Sequence, residues 1–392
     1  MTTPTPESGG LTRELARLIT GHVFLHACMA GMRMASPLLA LREGYSEAAV
    51  GVLLALYALT QVFLALPAGR FADRHGLKRP VSLSVAAATI GAGMAVAFPV
   101  FPVLCLSALL TGGATGAAVI ALQRHVGRAA QTPTQLKQVF SWLAIGPAFS
   151  NFLGPFVAGL VIDHGGFRWA FFVMAALPLV AWAWIRRVHE APLPERPARA
   201  ASARAWDLLR EPMFRRLLIV NWFLSSAWDV HTFVVPVLGH ERGLSASVIG
   251  SILGAFAIAA AAVRVLLPML AARLHEWALV AGAMVATALI YAVYPLMHTA
   301  LTMGLCSVLL GLALGCVQPM IMSMLHQITP HHRQGEAVGM RLMVINASSV
   351  AMPMLFGAAG SVVGISAVFW TMAAMVGAGS RLALKLKGDR TS

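Results

Sequence analysis

Asp229 is the only carboxylate near the middle of any long apolar run in this chain of 392 residues. A carboxylate in that setting can take up and release a proton. Placing it there costs about 2.5–3.5 kcal/mol on insertion scales, which marks it as a functional candidate. Arg33, Arg264 and Arg341 also lie within apolar runs. Arg264 and Arg341 stand within about two turns of the end of their runs, so each is expected to snorkel to the lipid headgroups. An alternative for Arg341 is a place in the charge network around Asp73. His22, His26, Met29 and Arg33 follow one another at spacings that share one face of a helix. His22 is expected to sit near the end of its run and reach water. Asp229 and Arg33 are expected at similar depth, where a proton on Asp229 would weaken an ion pair between them. A static structural pair is the plainer reading of the same two residues.

The elements that must position these groups follow from composition. The chain is 58% hydrophobic and 11% charged, with a mean hydropathy of +0.75. A soluble domain carries about 25% charged residues, and a disordered one is far less apolar. Both classes are excluded, which leaves an all-α polytopic membrane protein. Apolar runs of the length needed to cross a bilayer fall at about 18–40, 46–68, 79–98, 101–123, 139–162 and 167–188. They resume at about 214–239, 245–270, 277–297, 300–327, 335–359 and 364–384. Twelve transmembrane helices are therefore expected, as an N-terminal six-helix bundle (1–188) and a C-terminal one (214–392). The linker between them, 189–213, is rich in Pro, Ala and Arg, including Pro192, Pro194, Pro197, Arg196, Arg199 and Arg204.

The net charge of +14 is distributed as a membrane protein requires. With the N-terminus inside, the outward loops hold only Arg42, Arg168 and Arg242, and Arg33, Arg264 and Arg341 lie within helices. The rest of the 29 Lys and Arg fall on inward segments, which is the positive-inside bias rather than a nucleic-acid footprint. A multi-pass protein of the inner (plasma) membrane with both termini cytoplasmic is expected. Cys28, Cys105, Cys306 and Cys316 lack metal-ligand spacing and read as small core residues. No cleavable signal peptide is read at the N-terminus.

Sliding the chain by 199 residues superposes Pro37 on Pro236, Ser46 on Ser245, Gly51 on Gly250, Arg74 on Arg273, Gly112 on Gly311 and Gly116 on Gly315. Parallel six-helix repeats of this kind are a transporter architecture, with the substrate site at mid-membrane between the halves. The repeat mates of His22, His26, Met29 and Arg33 are Asn221, Ser225, Trp228 and Thr232, a second polar stripe. Matching stripes imply a central water-filled cavity. Gln61 with Tyr57, Thr111 with Thr115, Gln318 and Asn346 can add hydrogen bonds, although such residues also join helices without touching substrate.

Between the second and third runs stands Gly69-Arg-Phe-Ala-Asp73-Arg74-His-Gly76-Leu-Lys78-Arg79. This resembles the cytoplasmic signature of the major facilitator superfamily, with Leu77 where a further basic residue is usual. Gly69 is expected to let two helices approach, Gly76 to allow a tight turn, and Asp73 to hold a basic group or a helix N-terminus in one state. A second copy, Ala272-Arg273, lacks the aspartate. The fifth run carries Gly146-Pro147 and Gly154-Pro155-Phe-Val-Ala158-Gly159, similar to the Gly-Pro signature of the superfamily's exporters, mainly drug–proton antiporters. Its glycines allow close packing and its prolines kink the helix; Ser150 stands where a further glycine is common. Gly335-Glu336-Ala-Val-Gly339-Met-Arg341, followed by Asn346 and Pro353, adds to the likeness. The arginine that such exporters often carry in the fourth helix is absent, with Ala108 and Gly112 in its place and Arg124 at the cytoplasmic end.

The resemblance implies a twelve-helix major facilitator transporter with cavity-lining helices 1, 4, 7 and 10, which favours Thr115 and Gln318 among the polar residues. The expected pathway set is His26, Arg33, Gln61, Thr115, Ser225, Asp229, Thr232, Gln318 and Asn346. The expected switch set is Gly69, Asp73, Arg74, Gly76, Lys78 and Arg79. No phosphate-cradling loop occurs, which disfavours an ATP-driven pump. No metal, cofactor or enzymatic chemistry is expected. The expected partners are a small-molecule substrate, protons and the lipid bilayer, with no nucleic acid, and the chain is expected to be a monomer. Proton-coupled export of a small organic compound stands first. Import of an organic anion or other metabolite, and a non-transporting receptor on the same fold, remain open.

Overall fold

The computed structural model describes residues 6–45, 47–190, 205–244, 246–270, 275–363 and 365–387. Among these the chain is almost wholly helical. The first half runs α1 (Pro6–Arg42), α2 (Glu47–His75), α3 (Lys78–Ala97), α4 (Phe101–Ala129), α5 (Pro133–Leu143), α6 (Ile145–Gly165) and α7 (Phe167–Ile185). The second runs α8 (Pro212–Glu241), α9 (Ala246–Leu270), α10 (Glu276–Val293), α11 (Ala300–Gly315), α12 (Val317–Ile328), α13 (Gln334–Val363) and α14 (Ile365–Leu384). Ten stretches among the described residues are long and apolar enough to cross a membrane, two of them being the pairs α5–α6 and α11–α12. With α8 and α13 they account for the twelve segments read from the sequence. The second signature copy at Ala272-Arg273, and the linker's Pro192, Pro194, Arg196, Pro197, Arg199 and Arg204, lie outside the described residues.

The fifth and tenth segments are each broken rather than merely kinked. Ala144 separates α5 from α6, and Cys316 separates α11 from α12. Each break stands three residues before a proline, Pro147 and Pro319 respectively. Proline offers no N–H to the carbonyl four residues back and its ring clashes there, which weakens the helix at that point and favours a break. Pro155, inside α6, is accommodated without a break.

The chain divides into two compact units: residues 1–130, 143–205 and 330–346 form one, and 131–142, 206–329 and 347–392 the other. In the first, α1 packs on α6 and α7, and α4 on α2 and α3. In the second, α9 packs on α11 and α10 on α14. The repeat operates at the level of these contacts. A Cβ on Gly112 would strike the backbone of Tyr57, and one on Gly311 would strike that of Phe256. Gly116 lies against Gln61 and Gly315 against Ala260. Each pair is the other displaced by 199 residues. Gly44 and Gly243, at the ends of α1 and α8, are likewise mates and both adopt positive φ.

Candidate functional site

The Gly-Asp-Arg-Gly signature folds as the end of α2, a turn at Gly76 and the start of α3 at Lys78. Gly76 adopts φ +78°, a conformation open to glycine at little cost. Gly69 and Gly335 meet backbone to backbone, which brings the N-terminus of α13 against the end of α2. Asp73 is buried there. Its Oδ1 accepts from Arg124 Nε at 2.6 Å and from the Gly335 N–H at 2.9 Å, and its Oδ2 accepts from the Glu336 N–H at 2.9 Å. The carboxylate thus caps a helix N-terminus, where unsatisfied N–H groups and the helix dipole both favour an anion. Glu336 in turn accepts from Arg70 at 3.0 Å and Arg333 at 2.9 Å.

Arg74 and Arg79 are exposed and Lys78 half-exposed, so the basic part of the signature lies at the protein surface. Leu77 is fully buried, and its N–H donates to the Glu190 carboxylate. That burial explains the missing basic residue: a cation there would be carried into the core. Arg124, the partner of Asp73, is 51 positions away in sequence. Only its place at the end of the fourth segment hinted at the role.

The exporter-like motif of α6 is a seam with α1. A Cβ on Gly154 would meet the carbonyl of Ala27 and the N–H of Gly31, Gly146 abuts His22, and Gly159 touches Met34. Ser150 Oγ donates to the Val23 carbonyl across this seam at 3.1 Å, and within α6 to Gly146 at 2.7 Å. The hydroxyl fits where a glycine is common because it binds the neighbouring backbone. Pro147 is half-buried in the first turn of α6 and Pro155 half-buried further on. His22 does not reach water as expected: it is buried, edge-on to His26, with ring centroids 5.7 Å apart.

Of the expected pathway residues in this unit, His26 is half-buried and engages the Asn151 side chain. Arg33 is exposed. Gln61 Nε2 donates to Met29 Sδ at 3.6 Å. Thr115 is buried, with its hydroxyl on the Thr111 carbonyl at 2.8 Å, and Asn346 Nδ2 donates to Leu342 at 2.9 Å. The last two spend those donors on their own helices.

In the second unit, Asp229 is half-buried on α8, and Ser349 Oγ lies 3.4 and 3.2 Å from its two oxygens. Ser225 and Gln318 are half-buried, while Thr232 is exposed, with its hydroxyl on its own helix. Arg264 corrects the snorkelling expectation. It is buried, its guanidinium lies 5.6 Å from the centre of the Trp228 ring, and its Nε donates to the Gly315 carbonyl at 3.3 Å. The break at Cys316 explains this, because a helix that ends at Gly315 leaves carbonyls with no N–H four residues ahead. Arg341, which belongs to the first unit, is also buried rather than snorkelling. His231, whose role the sequence did not suggest, is fully buried on α8: Nε2 lies 2.9 Å from Ser307 Oγ, which lies 2.8 Å from the Tyr294 hydroxyl.

A capped helix-2 signature, a glycine seam between the first and fifth segments and two repeats of matching contacts agree with a match to the Major Facilitator Superfamily model over residues 19–306 and 217–391. The chain belongs to the Major Facilitator Superfamily. Within this superfamily of transporters, the chain is 29% identical over 338 residues to the class D tetracycline resistance protein of Salmonella ordonez, covering 81% of this chain and 82% of that protein. It is 35% identical over 165 residues to the class E protein of Escherichia coli, covering 41% and 38%. Among solved structures, a bacterial homologue of the iron transporter ferroportin in the outward-facing state superposes with TM-score 0.80 at 15% identity, covering 95% of this chain and 99% of that one. The human organic anion transporter MFSD10 superposes with TM-score 0.77 at 17% identity, covering 97% and 100%. These superpositions establish the major facilitator fold. The chain is accordingly a multi-pass membrane transporter rather than an enzyme.

Proposed function

We propose that this transporter exports a small organic compound across the cytoplasmic membrane in exchange for protons, by alternating between inward-open and outward-open states. The observation that carries the reading is Asp229, a carboxylate at mid-helix whose oxygens lie beside the Ser349 hydroxyl. Ser349 is short and neutral, so it can donate to the charged carboxylate and accept from the protonated one. Asp229 is then the proton-carrying group, and His26, Arg33, Gln61, Ser225, Thr232 and Gln318 are the residues we assign to the pathway, with Thr115 and Asn346 as supports. Export is favoured over import by the α6 motif and by the likeness to tetracycline resistance proteins. We read the bundles as residues 1–188 and 214–392 joined by 189–213, the transporter as a monomer of the inner membrane, and both termini as cytoplasmic, as the basic residues favour.

The test is purified protein in liposomes holding a proton gradient, challenged with a panel of drugs and metabolites. Substrate-dependent collapse of the gradient is expected, with its loss in Asp229→Asn. Collapse that persists in that variant would remove Asp229 from the coupling. Substrate uptake in the same direction as the protons would replace export by import.

A further inference from the structure

The two units hold reciprocal pieces of chain. Segment 330–346 belongs with the first unit and segment 131–142 with the second, and the two begin 199 residues apart, as repeat mates. Under that offset Glu336 corresponds to Lys137, Arg124 to Ser323 and Asp73 to Ala272. The second copy of the signature has therefore lost the carboxylate that, in the first, holds the received segment.

A carboxylate is nevertheless supplied from close by. Glu276 opens α10, four residues beyond Ala272, and is buried. Its Oε1 accepts from Gln327 Nε2 at 2.9 Å and from Ser323 Oγ at 3.2 Å, and Lys137 Nζ stands 3.8 Å away. Ser323 occupies the repeat position of Arg124, and Lys137 lies on the received helix α5. Two further contacts seat α5: Gln138 Nε2 donates to the Pro268 carbonyl at 3.2 Å, and the Phe140 and His326 rings are 4.8 Å apart.

We propose that Glu276 and Lys137 form a second latch, which does for the C-terminal repeat what Asp73 does for the N-terminal one. The chemistry is changed in a definite way. In the first latch the received segment offers backbone N–H groups to a carboxylate that already has Arg124. In the second, the cation has moved onto the received segment itself, and neutral Ser323 and Gln327 support the carboxylate. Buried ion pairs often add little net stability, because desolvation offsets the attraction. A hydrophobic pair would hold α5 as well or better. The charged pair differs in what happens on separation: both groups regain water, so the contact can be broken and remade in each cycle at modest cost. The pair thus suits a contact that must open.

This inference rests on the alternating-access reading, but its test needs no substrate, so a failed export assay and a failed latch are distinguishable. Cys28, Cys105, Cys306 and Cys316 are replaced, and Ser141→Cys is introduced, a buried position one turn beyond Lys137. Reaction of this thiol with a charged maleimide is then timed in lipid nanodiscs. Glu276→Gln and Lys137→Glu are each expected to speed labelling at least fivefold, and the reversed pair Lys137→Glu with Glu276→Lys to return it to within twofold of the parent. Single variants that label at the parent rate would overturn the proposal. So would a reversed pair that labels as fast as the singles or fails to elute as folded protein, because restoration by opposite charges is the property that a merely misfolded variant lacks.

Discussion

Gly69 and Gly335 touch backbone to backbone, so that a Cβ on either would strike the carbonyl oxygen of the other. This contact sets the reach of Asp73, whose carboxylate lies against the first N–H groups of α13 only because the two helices come that close.

Gly69→Ala and Gly335→Ala are therefore expected to slow transport at least tenfold while the protein still folds. A methyl forced into a closed contact costs about 1–3 kcal/mol. Gly254→Ala is the control, because nothing lies within 4 Å of a Cβ there. Substrate efflux and thermal unfolding of the three variants, measured side by side, check the contrast.

Asp73→Asn leaves Arg124 buried beside a neutral group. Breaking one side of a buried pair costs about 3–5 kcal/mol, so a large fall in thermal stability is expected. Asp73→Asn with Arg124→Gln should fall short of the sum of the single losses, since the double variant strands no charge. A double-mutant cycle on melting temperatures reads this directly. Additive losses would mean that the 2.6 Å contact carries no coupling.

At the seam between α1 and α6, Ser150→Gly is expected to be mild, at about 1 kcal/mol for the lost hydrogen bonds. Gly154→Val should abolish accumulation of folded protein, because its side chain would enter the backbone of Ala27 and Gly31. Fluorescence size-exclusion of tagged protein from membranes distinguishes the two.

Arg264→Ala should destabilise the protein and Arg264→Lys should rescue it only in part, because an ammonium does not reproduce a guanidinium set over an indole ring. Pro319→Ala allows the N–H at 319 to bond back toward Gly315 and should lessen the dependence on Arg264. Melting temperatures of the four-way set give the coupling; a full effect of Arg264→Ala on the Pro319→Ala background would dissociate the arginine from the helix break.

The sequence carried the parts of this architecture that are written in local pattern. Twelve apolar runs, the turn at Gly76 and the approach at Gly69 follow from hydropathy and from glycine, which act over a few residues. The partners were less visible. Asp73 announced a need for a cation or a helix end, yet Arg124 and Gly335 are brought to it by packing that no spacing reports. Arg264 was expected at the headgroups because distance to the end of its run favours snorkelling. Pro319 was passed over inside an apolar run read as continuous, and so was the consequence of the break at Cys316: the freed carbonyl at Gly315 draws the arginine inward. Glu276 and His231 went unremarked because a single acid at a helix start, or a single histidine in an apolar run, has no pattern of its own.

The capping of α13 by Asp73 also bears on how the chain is made. Arg124 and Asp73 are both synthesised long before Gly335 and Glu336, which follow about two hundred residues later. At translation rates of about 5–20 residues per second, that interval is roughly 10–40 s. For most of it the first six segments have already been made, with a carboxylate whose backbone partners do not yet exist. The N-terminal half can thread and insert early, but it reaches its final packing only when the eleventh segment arrives. A truncation that ends before Gly335 would leave that half unfinished at its own signature.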